Sequence, residues 1–212
     1  MISQYNQEHL ETFKAVRDIL VHMPNQERDA LLRASGPYLD FRKEVASFQE
    51  QTFSHVCTLK CFQDNTSACC AREGIAAFFG DVVLNCLLGA PGEVDALIQA
   101  LVLSIEGPQC VYLTENGCLW TLKPVVCEMF LCDHAIKTVL DPNEALKSAW
   151  EDLRERERRF TWPDRPVLFD ELEAVFLEKG CDSPLMYLHK SPGLLRLKSR
   201  WKNQDTEIFK AD

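Results

Sequence analysis

Eight of the ten cysteines in this 212-residue chain fall into two groups. The first group is Cys57, Cys61, Cys69 and Cys70, and the second is Cys110, Cys118, Cys127 and Cys132. Thiolates are soft ligands that suit zinc and iron–sulfur clusters, and four of them complete a tetrahedral zinc site or hold a cubane cluster. The segments QDNTSA and TENG lie inside the groups, and their small or turn-forming residues let the backbone fold around an ion. The sequence therefore predicts a thiolate metal site with these eight cysteines as candidate ligands.

The spacing within the first group limits how its thiols share a metal. Cys57 and Cys61 are four residues apart, which places both sulfurs on one helical face or around one turn. Cys69 and Cys70 are adjacent, and the side chains of successive residues diverge. Two alternatives follow: the pair serves two different metals, or only one of the two thiols is a ligand. The eight cysteines accordingly fit either two four-thiolate sites or one site with spare thiols.

Four charged or titratable side chains near the two groups are candidates for supporting roles. His55 lies two residues before the first group and His134 two residues after the second, so either can supply a nitrogen ligand. A histidine beside a metal site more often hydrogen-bonds to the ligands or to solvent. Arg72 and Lys123 are candidates to offset the charge of about −2 that four thiolates leave around Zn²⁺.

Other uses of the cysteines fit the sequence less well. Dense disulfides are typical of small secreted domains, whereas this chain is long enough to bury a sizeable core, and MISQYNQEHLETF has no features of a secretory signal. A cysteine nucleophile needs a base beside it, and the sequence has no local signature of such a pair. Burial as a small hydrophobe explains Cys86 in VVLNCLLG, and Cys181 fits an ordinary thiol at a helix end, but neither reading explains eight cysteines grouped beside turns.

A longer pattern links the two groups. The first part has Cys57, Cys61, Cys69, Cys70 and the apolar Ile75, and the second part, CVYLTENGCLWTLKPVVCEMFLC, has Cys110, Leu113, Gly117, Cys118, Leu119, Trp120, Lys123, Pro124, Cys127 and Cys132. In this order the residues resemble the YkgJ-type cysteine-cluster family, which is described as chelating zinc or iron. The resemblance covers roughly residues 57–132 and implies a metal-chelating region. The stretch from Cys61 to Cys69 is longer than the family's compact form, and Lys123 stands where the family more usually has Arg.

The resemblance leaves two functional hypotheses open. The first is a metal-binding protein that holds an iron–sulfur cluster or zinc in a structural or redox role. The second is an enzyme with a metal cofactor, because flagellin lysine N-methylase proteins carry a related cysteine pattern and act as protein methyltransferases. No G-x-G-x-x-G or Walker pattern occurs in the chain, so nucleotide binding has no support from the sequence.

The elements around the cysteines predict a mostly α-helical single domain over residues 1–212. Helical flanks at 1–56 and 133–212 surround a cysteine-cluster region at 57–132. Apolar residues recur at helical spacing in QEHLETFKAVRDILVHM, NQERDALLRA, YLDFRKEVASFQEQTFSHV, PNEALKSAWEDLRERERRF and PVLFDELEAVFLEKG. Two apolar helices, in REGIAAFFGDVVLNCLLG and GEVDALIQALVLSIEG, separate the groups and are expected to bring them together. CVYL and CLWTL on either side of TENG predict a short hairpin, and PLMYLHKSPGLLRLKSRWK a last basic helix.

Charge and hydropathy narrow the partners. A formal net charge of −9 argues against a general affinity for nucleic acid, which depends on clustered Lys and Arg. The longest apolar run, residues 75–90, is interrupted by Asp81 and Asn85 and is too short to span a membrane. We therefore expect a cytoplasmic protein whose thiols stay mostly reduced. The basic segment HKSPGLLRLKSRWK is interpreted as a helix packed on the core with a solvated face, and docking to an unidentified acidic protein partner is the alternative.

Overall fold

The computed structural model describes residues 3–64, 66–67, 69–71, 77–103, 107–161 and 165–187. Helices predominate in these ranges, and one two-stranded antiparallel hairpin accompanies them. The prediction of a mostly α-helical fold with a short hairpin is confirmed. Arg72, Ile75 and the basic segment from residue 188 onward lie outside the described residues. None of the helices described is both long and apolar enough to cross a membrane.

The helices follow one another with short connections. The α-helices are α1 (Gln4–His22), α2 (Asn25–Phe53), α3 (Phe79–Leu88), α4 (Pro91–Leu103), α5 (Val125–Glu128), α6 (Asp133–Ala135), α7 (Glu144–Thr161) and α8 (Leu168–Glu178). Two π-helical turns, π1 (Ser54–Phe62) and π2 (Ile136–Leu140), directly follow α2 and α6. The hairpin strands, β1 (Leu113–Thr114) and β2 (Gly117–Cys118), lie between α4 and α5.

Helix α1 forms one wall of the core. The hydroxyl of Ser3 caps it by accepting the backbone N–H of Asn6 at 3.2 Å, which satisfies one of the free donors at a helix N-terminus. Apolar residues three and four positions apart are buried, namely Phe13, Val16 and Leu20. This stripe packs α1 against α3 and α4.

Helix α2 runs unbroken through Pro37, whereas the sequence predicts two separate helices on either side of it. Proline in a helix interior removes one backbone hydrogen bond and crowds the preceding turn, at a cost of about 3 kcal/mol. Burial beyond the proline offsets this cost. Tyr38 and Phe41 are both buried, and their ring centroids lie 5.2 Å and 5.3 Å from that of Phe160 on α7. The continuous helix delivers Phe53 and π1 to the cysteine region.

Helix α3 lies at the centre of the core and packs against α1 and α8. Its fully buried apolar residues are Phe79, Val82, Val83 and Leu84. The approach to α8 is closest at Gly80, where a Cβ atom would lie 2.5 Å from the ring of Phe169. Only a residue without a side chain fits this contact.

Asn85 attaches α3 to the segment that follows the hairpin. Its Nδ2 donates to the carbonyl oxygen of Leu122 at 2.8 Å, and its Oδ1 accepts the N–H of Leu122 at 3.0 Å. Asn85 is buried, and hydrogen bonds in a low-dielectric interior hold their geometry firmly. The core helix between the two cysteine groups is thereby anchored beside the second group.

Candidate metal centre

One cavity of about 730 Å³ brings together the two cysteine groups. Its lining includes Cys57, Cys61, Cys69, Cys70, Cys110, Cys118, Cys127 and Cys132. His134 also lines it, whereas His55, Cys86 and Cys181 are not among the lining residues described. Cys86 is half-buried on α3 and Cys181 is buried, and both pack against the hydrophobic core. All ten cysteines lie in the described part of the chain, and no disulfide joins any of them.

The π1 turn presents the first two cysteines. Cys57 and Cys61 lie on it four residues apart and both face the cavity, as their spacing predicts. π-helical turns are rare and are frequent at functional sites. The carbonyl oxygen of Cys61 then accepts the N–H groups of Thr66 at 2.9 Å and Ser67 at 3.1 Å. The loop that leads to Cys69 and Cys70 therefore starts folded against π1.

The adjacent cysteines leave this loop at a turn. Ser67 has a φ of 38°, a left-handed conformation that is unusual for a residue other than glycine. Its carbonyl oxygen accepts the N–H of Cys70 at 2.8 Å. Cys69 is exposed and Cys70 half-buried, so the two neighbours meet different surroundings.

Backbone hydrogen bonding joins the first group to the second. The N–H of Cys110 donates to the carbonyl oxygen of Cys70 at 2.7 Å, and Ala71 and Gln109 form an isolated antiparallel bridge beside it. The β1–β2 hairpin then pairs Leu113 with Cys118. These contacts bring Cys70, Cys110 and Cys118 to the same side of the cavity.

A buried ion pair positions the segment that carries the last two cysteines. The guanidinium of Arg42 donates from Nε to Oε2 of Glu128 at 2.9 Å and from Nη2 at 2.5 Å, and it also donates to the hydroxyl of Tyr38 at 2.6 Å and to the carbonyl oxygen of Lys123. Gln49 donates to the carbonyl oxygen of Glu128. Glu128 is the last residue of α5, so α2 fixes the helix that carries Cys127.

Burial keeps several of the thiols protonated. It raises the pKa of Cys57 to about 11, and the neighbouring thiols of Cys69, Cys132 and Cys61 act in the same direction. It likewise raises the pKa of Cys110 to about 11, with a smaller effect in the same direction from Cys118. A metal that enters the cavity must displace these protons, because thiolates, not thiols, are the ligands.

Cys69 and Cys70 interact directly. The thiol of Cys70 hydrogen-bonds to the sulfur of Cys69, which lowers the pKa of Cys69, and Lys123 adds a smaller favourable interaction with its thiolate. The same hydrogen bond, together with burial, raises the pKa of Cys70. Cys69 is therefore the more nucleophilic thiol of the pair.

The donor set fits a thiolate metal centre, because eight soft sulfur donors surround one cavity together with the cationic Lys60 and Lys123. Over the described residues, however, no three His, Cys, Asp or Glu side chains already stand at the spacing of ligands around one ion. The sulfurs line the wall without converging. Metal binding requires the loop at residues 66–71 and the hairpin to draw them inward.

Sequence reasoning missed an aromatic layer behind the second cysteine group. Tyr112 and Trp120 line the cavity, with ring centroids 5.2 Å apart. The hydroxyl of Tyr112 lies 2.9 Å from Nδ1 of His9, which is buried on α1. Burial lowers the pKa of His9 to about 4, so its imidazole is neutral at pH 7. No local sequence signal links residues so far apart in the chain.

Comparison with known proteins leaves the function to be argued from this geometry. No family model, no curated protein and no solved structure matches the chain.

Proposed function

We propose that this protein binds metal through cysteine thiolates and holds zinc or an iron–sulfur cluster in the cavity, in a structural or redox role. The observation that carries the proposal is that all eight cysteines of the two groups line one cavity, while Cys86 and Cys181 pack elsewhere on the core. Buried cysteines that serve only as small hydrophobes need no common cavity. Thiols gathered around an accessible cavity suit the entry of a metal ion.

The charges around the cavity support the same proposal. Four thiolates around Zn²⁺ leave a net charge of about −2, which nearby cations stabilise. Lys123 interacts electrostatically with the thiols of Cys69 and Cys118, which come from different groups. Bound zinc supplies a fixed cross-link, and a bound iron–sulfur cluster supplies one-electron transfer.

The resemblance to the YkgJ-type cysteine-cluster family points in the same direction, because the cysteines of both matched halves line the cavity. A cytoplasmic location belongs to the same proposal, since free thiols persist in reducing compartments. The absence of disulfides among the ten cysteines agrees with such a location. The net charge of −9 favours partners other than nucleic acid.

Purification without oxygen tests metal binding directly. We expect stoichiometric zinc in a colourless protein, or matching iron and sulfide with a broad visible absorbance. The variants Cys61→Ser and Cys118→Ser should each lose metal, whereas Cys86→Ser, outside the cavity, should keep the full content. A wild-type protein without zinc, iron or sulfide, even after reconstitution, would contradict the proposal.

The size and lining of the cavity favour one second candidate, an enzyme with a metal cofactor. A volume of about 730 Å³ is typical of sites for organic ligands. Phe53, Tyr112 and Trp120 give this cavity apolar and aromatic walls beside the thiols. A protein methyltransferase, the activity of the related flagellin lysine methylases, is the specific alternative.

Isothermal titration calorimetry with S-adenosylmethionine tests this alternative. We expect binding by the metal-loaded protein and its weakening by Trp120→Leu, which removes an aromatic wall. Cys86→Ser serves as the matched control. Lack of binding to the metal-loaded protein would count against methyl transfer and leave the metal-binding proposal intact.

A further inference from the structure

The peptide bond between Cys69 and Cys70 separates two thiol neighbourhoods. The thiol of Cys57 interacts electrostatically with those of Cys69, Cys132 and Cys61. The thiol of Cys70 interacts, beyond its neighbour Cys69, with Cys110 and Cys118. The two adjacent cysteines thus share a hydrogen bond but face different sets of partners.

The backbone explains why the sets differ. The carbonyl oxygen of Cys61 holds the N–H groups of Thr66 and Ser67, which keeps the approach to Cys69 against π1. The carbonyl oxygen of Cys70 instead accepts the N–H of Cys110 at 2.7 Å, which fixes Cys70 to the second group. Successive side chains of an extended segment point to opposite sides, so one thiol faces π1 and the next faces the hairpin.

The remaining two cysteines divide in the same way. Cys132 is an electrostatic neighbour of Cys57. Cys127 shares with Cys110 the neighbourhood of the buried phenol of Tyr5, on which both thiols act. Each neighbourhood therefore contains four sulfurs, the number that completes a tetrahedral zinc site or holds a cubane cluster.

Resting on the proposed function, we propose that the cavity holds two separate metal centres, divided at the Cys69–Cys70 peptide bond. The π1 centre consists of Cys57, Cys61, Cys69 and Cys132, and the hairpin centre consists of Cys70, Cys110, Cys118 and Cys127. Each centre takes a soft metal, either a zinc ion or an iron–sulfur cluster. Lys123 lies between them and interacts with Cys69 of one centre and Cys118 of the other.

The division follows from geometry. Consecutive Cα atoms are about 3.8 Å apart and their side chains diverge, whereas thiolates on one zinc ion must all approach it to about 2.3 Å. Two centres let each thiol bind on its own side without reversing the backbone. They also use all eight thiols of the cavity, which a single four-thiolate site does not.

Titration of the metal-free full-length protein with Co(II), in the absence of oxygen, tests the division. Cobalt is a suitable probe because it accepts the same thiolate ligands and its complexes are coloured. We expect two bound Co(II) ions per wild-type chain and one in each of the double variants C57S/C132S and C110S/C118S. The matched control C86S should bind two. The mixed variant C57S/C110S, which removes one ligand from each centre, should bind both ions more weakly.

Single substitutions at the adjacent pair give a second readout that does not depend on removing two thiols at once. Cys69→Ser, added to C110S/C118S, should abolish the one remaining site, but added to C57S/C132S it should leave the remaining affinity unchanged. Cys70→Ser should behave in the opposite way. Circular dichroism of each variant checks that the helices are retained.

The outcomes separate this inference from the proposed function. A wild-type chain that binds no Co(II) would overturn both. A wild-type chain that binds one ion, or double variants that each lose both ions, would overturn the two-centre division and leave metal binding intact. Equal effects of Cys69→Ser in the two backgrounds would also overturn it.

Discussion

The backbone N–H of Cys110 donates to the carbonyl oxygen of Cys70 at 2.7 Å, so one main-chain hydrogen bond joins the two cysteine groups. Next to it, Ala71 and Gln109 form an antiparallel bridge. Main-chain contacts of this kind hold the cavity walls together in the metal-free protein. Side chains that shape these walls are therefore expected to control metal binding without being ligands.

Gly117→Ala should weaken metal binding by displacing Cys118. Gly117 has a φ of 108°, which an L-residue with a Cβ atom adopts only under strain of about 1–3 kcal/mol. Relief of this strain would shift the turn that pairs Thr114 with Gly117 and Leu113 with Cys118. We expect a lower melting temperature and a reduced affinity for Co(II), measured by thermal unfolding and by competition with a chelator.

Gly92→Ala is the matched control, because Gly92 lies in α4 and a Cβ atom there would meet nothing within 4 Å. Alanine is favoured over glycine in a helix, so this variant should be slightly stabilised and bind metal normally. Equal affinity of Gly117→Ala and wild type would show that the hairpin turn does not position Cys118 for binding.

Arg42→Met should strongly destabilise the fold. Arg42 is fully buried and pairs with Glu128, so the substitution leaves a carboxylate without its cation, at a cost of about 3–5 kcal/mol. The free energy of unfolding from urea denaturation measures this. The double variant R42M/E128Q should lose less than the sum of the single variants, because it removes the stranded charge.

Lys43→Met is the control beside it. Lys43 and its partner Asp40 are both exposed, and such surface pairs contribute about 0–1 kcal/mol. A similar loss of stability in the Arg42 and Lys43 variants would contradict the role assigned to the buried pair.

Lys123→Met should raise the pKa of Cys69 and slow its alkylation. The thiolate of Cys69 is stabilised first by the hydrogen bond from Cys70 and also by the charge of Lys123. Without that charge, the pH midpoint of Cys69 alkylation by iodoacetamide should move upward in the metal-free protein. Peptide mass spectrometry as a function of pH follows Cys69 individually.

Lys60→Met removes another cation that lines the cavity and serves as the comparison. It should move the midpoint for Cys69 less than Lys123→Met does. If the two variants gave the same midpoint as wild type, the electrostatic role of Lys123 would be refuted.

His9 and Asp81 should impose opposite pH dependences on stability. Burial lowers the pKa of His9 from 6.5 to about 4, so the stability that this residue confers is complete above pH 6.5 and is lost as the pH falls toward 4. Burial raises the pKa of Asp81 from 3.8 to about 7, so its contribution is complete below pH 3.8 and is lost as the pH rises through 7. The two slopes oppose each other between pH 4 and 6.5.

His9→Gln and Asp81→Asn separate the two slopes. Relative to wild type, stability of His9→Gln should fall with rising pH in this window, and that of Asp81→Asn should rise, each by at most about 1.4 kcal/mol per pH unit. Urea denaturation between pH 4 and 7 measures both. Parallel curves for the two variants would contradict the assignment of these titrations.

Local patterns in the sequence predict the individual elements well. The apolar spacing in α1 and α8 and the turn segment TENG predict helices and a hairpin that the structure contains. These signals are local, because a helical stripe or a turn depends on residues only a few positions apart. The same local reasoning failed at Pro37, where burial of Tyr38 and Phe41 against α7 outweighs the helix-breaking effect of proline.

The sequence by itself determined which thiols matter and what chemistry they suit, because residue type and grouping decide ligand softness. It also determined that Cys57 and Cys61 share one face. Only the tertiary structure decided that both groups line one cavity, that Cys69 and Cys70 face different partners, and that His9 supports Tyr112. These relationships arise from contacts between distant segments, such as Cys70 with Cys110, and such contacts leave no periodic trace in the sequence.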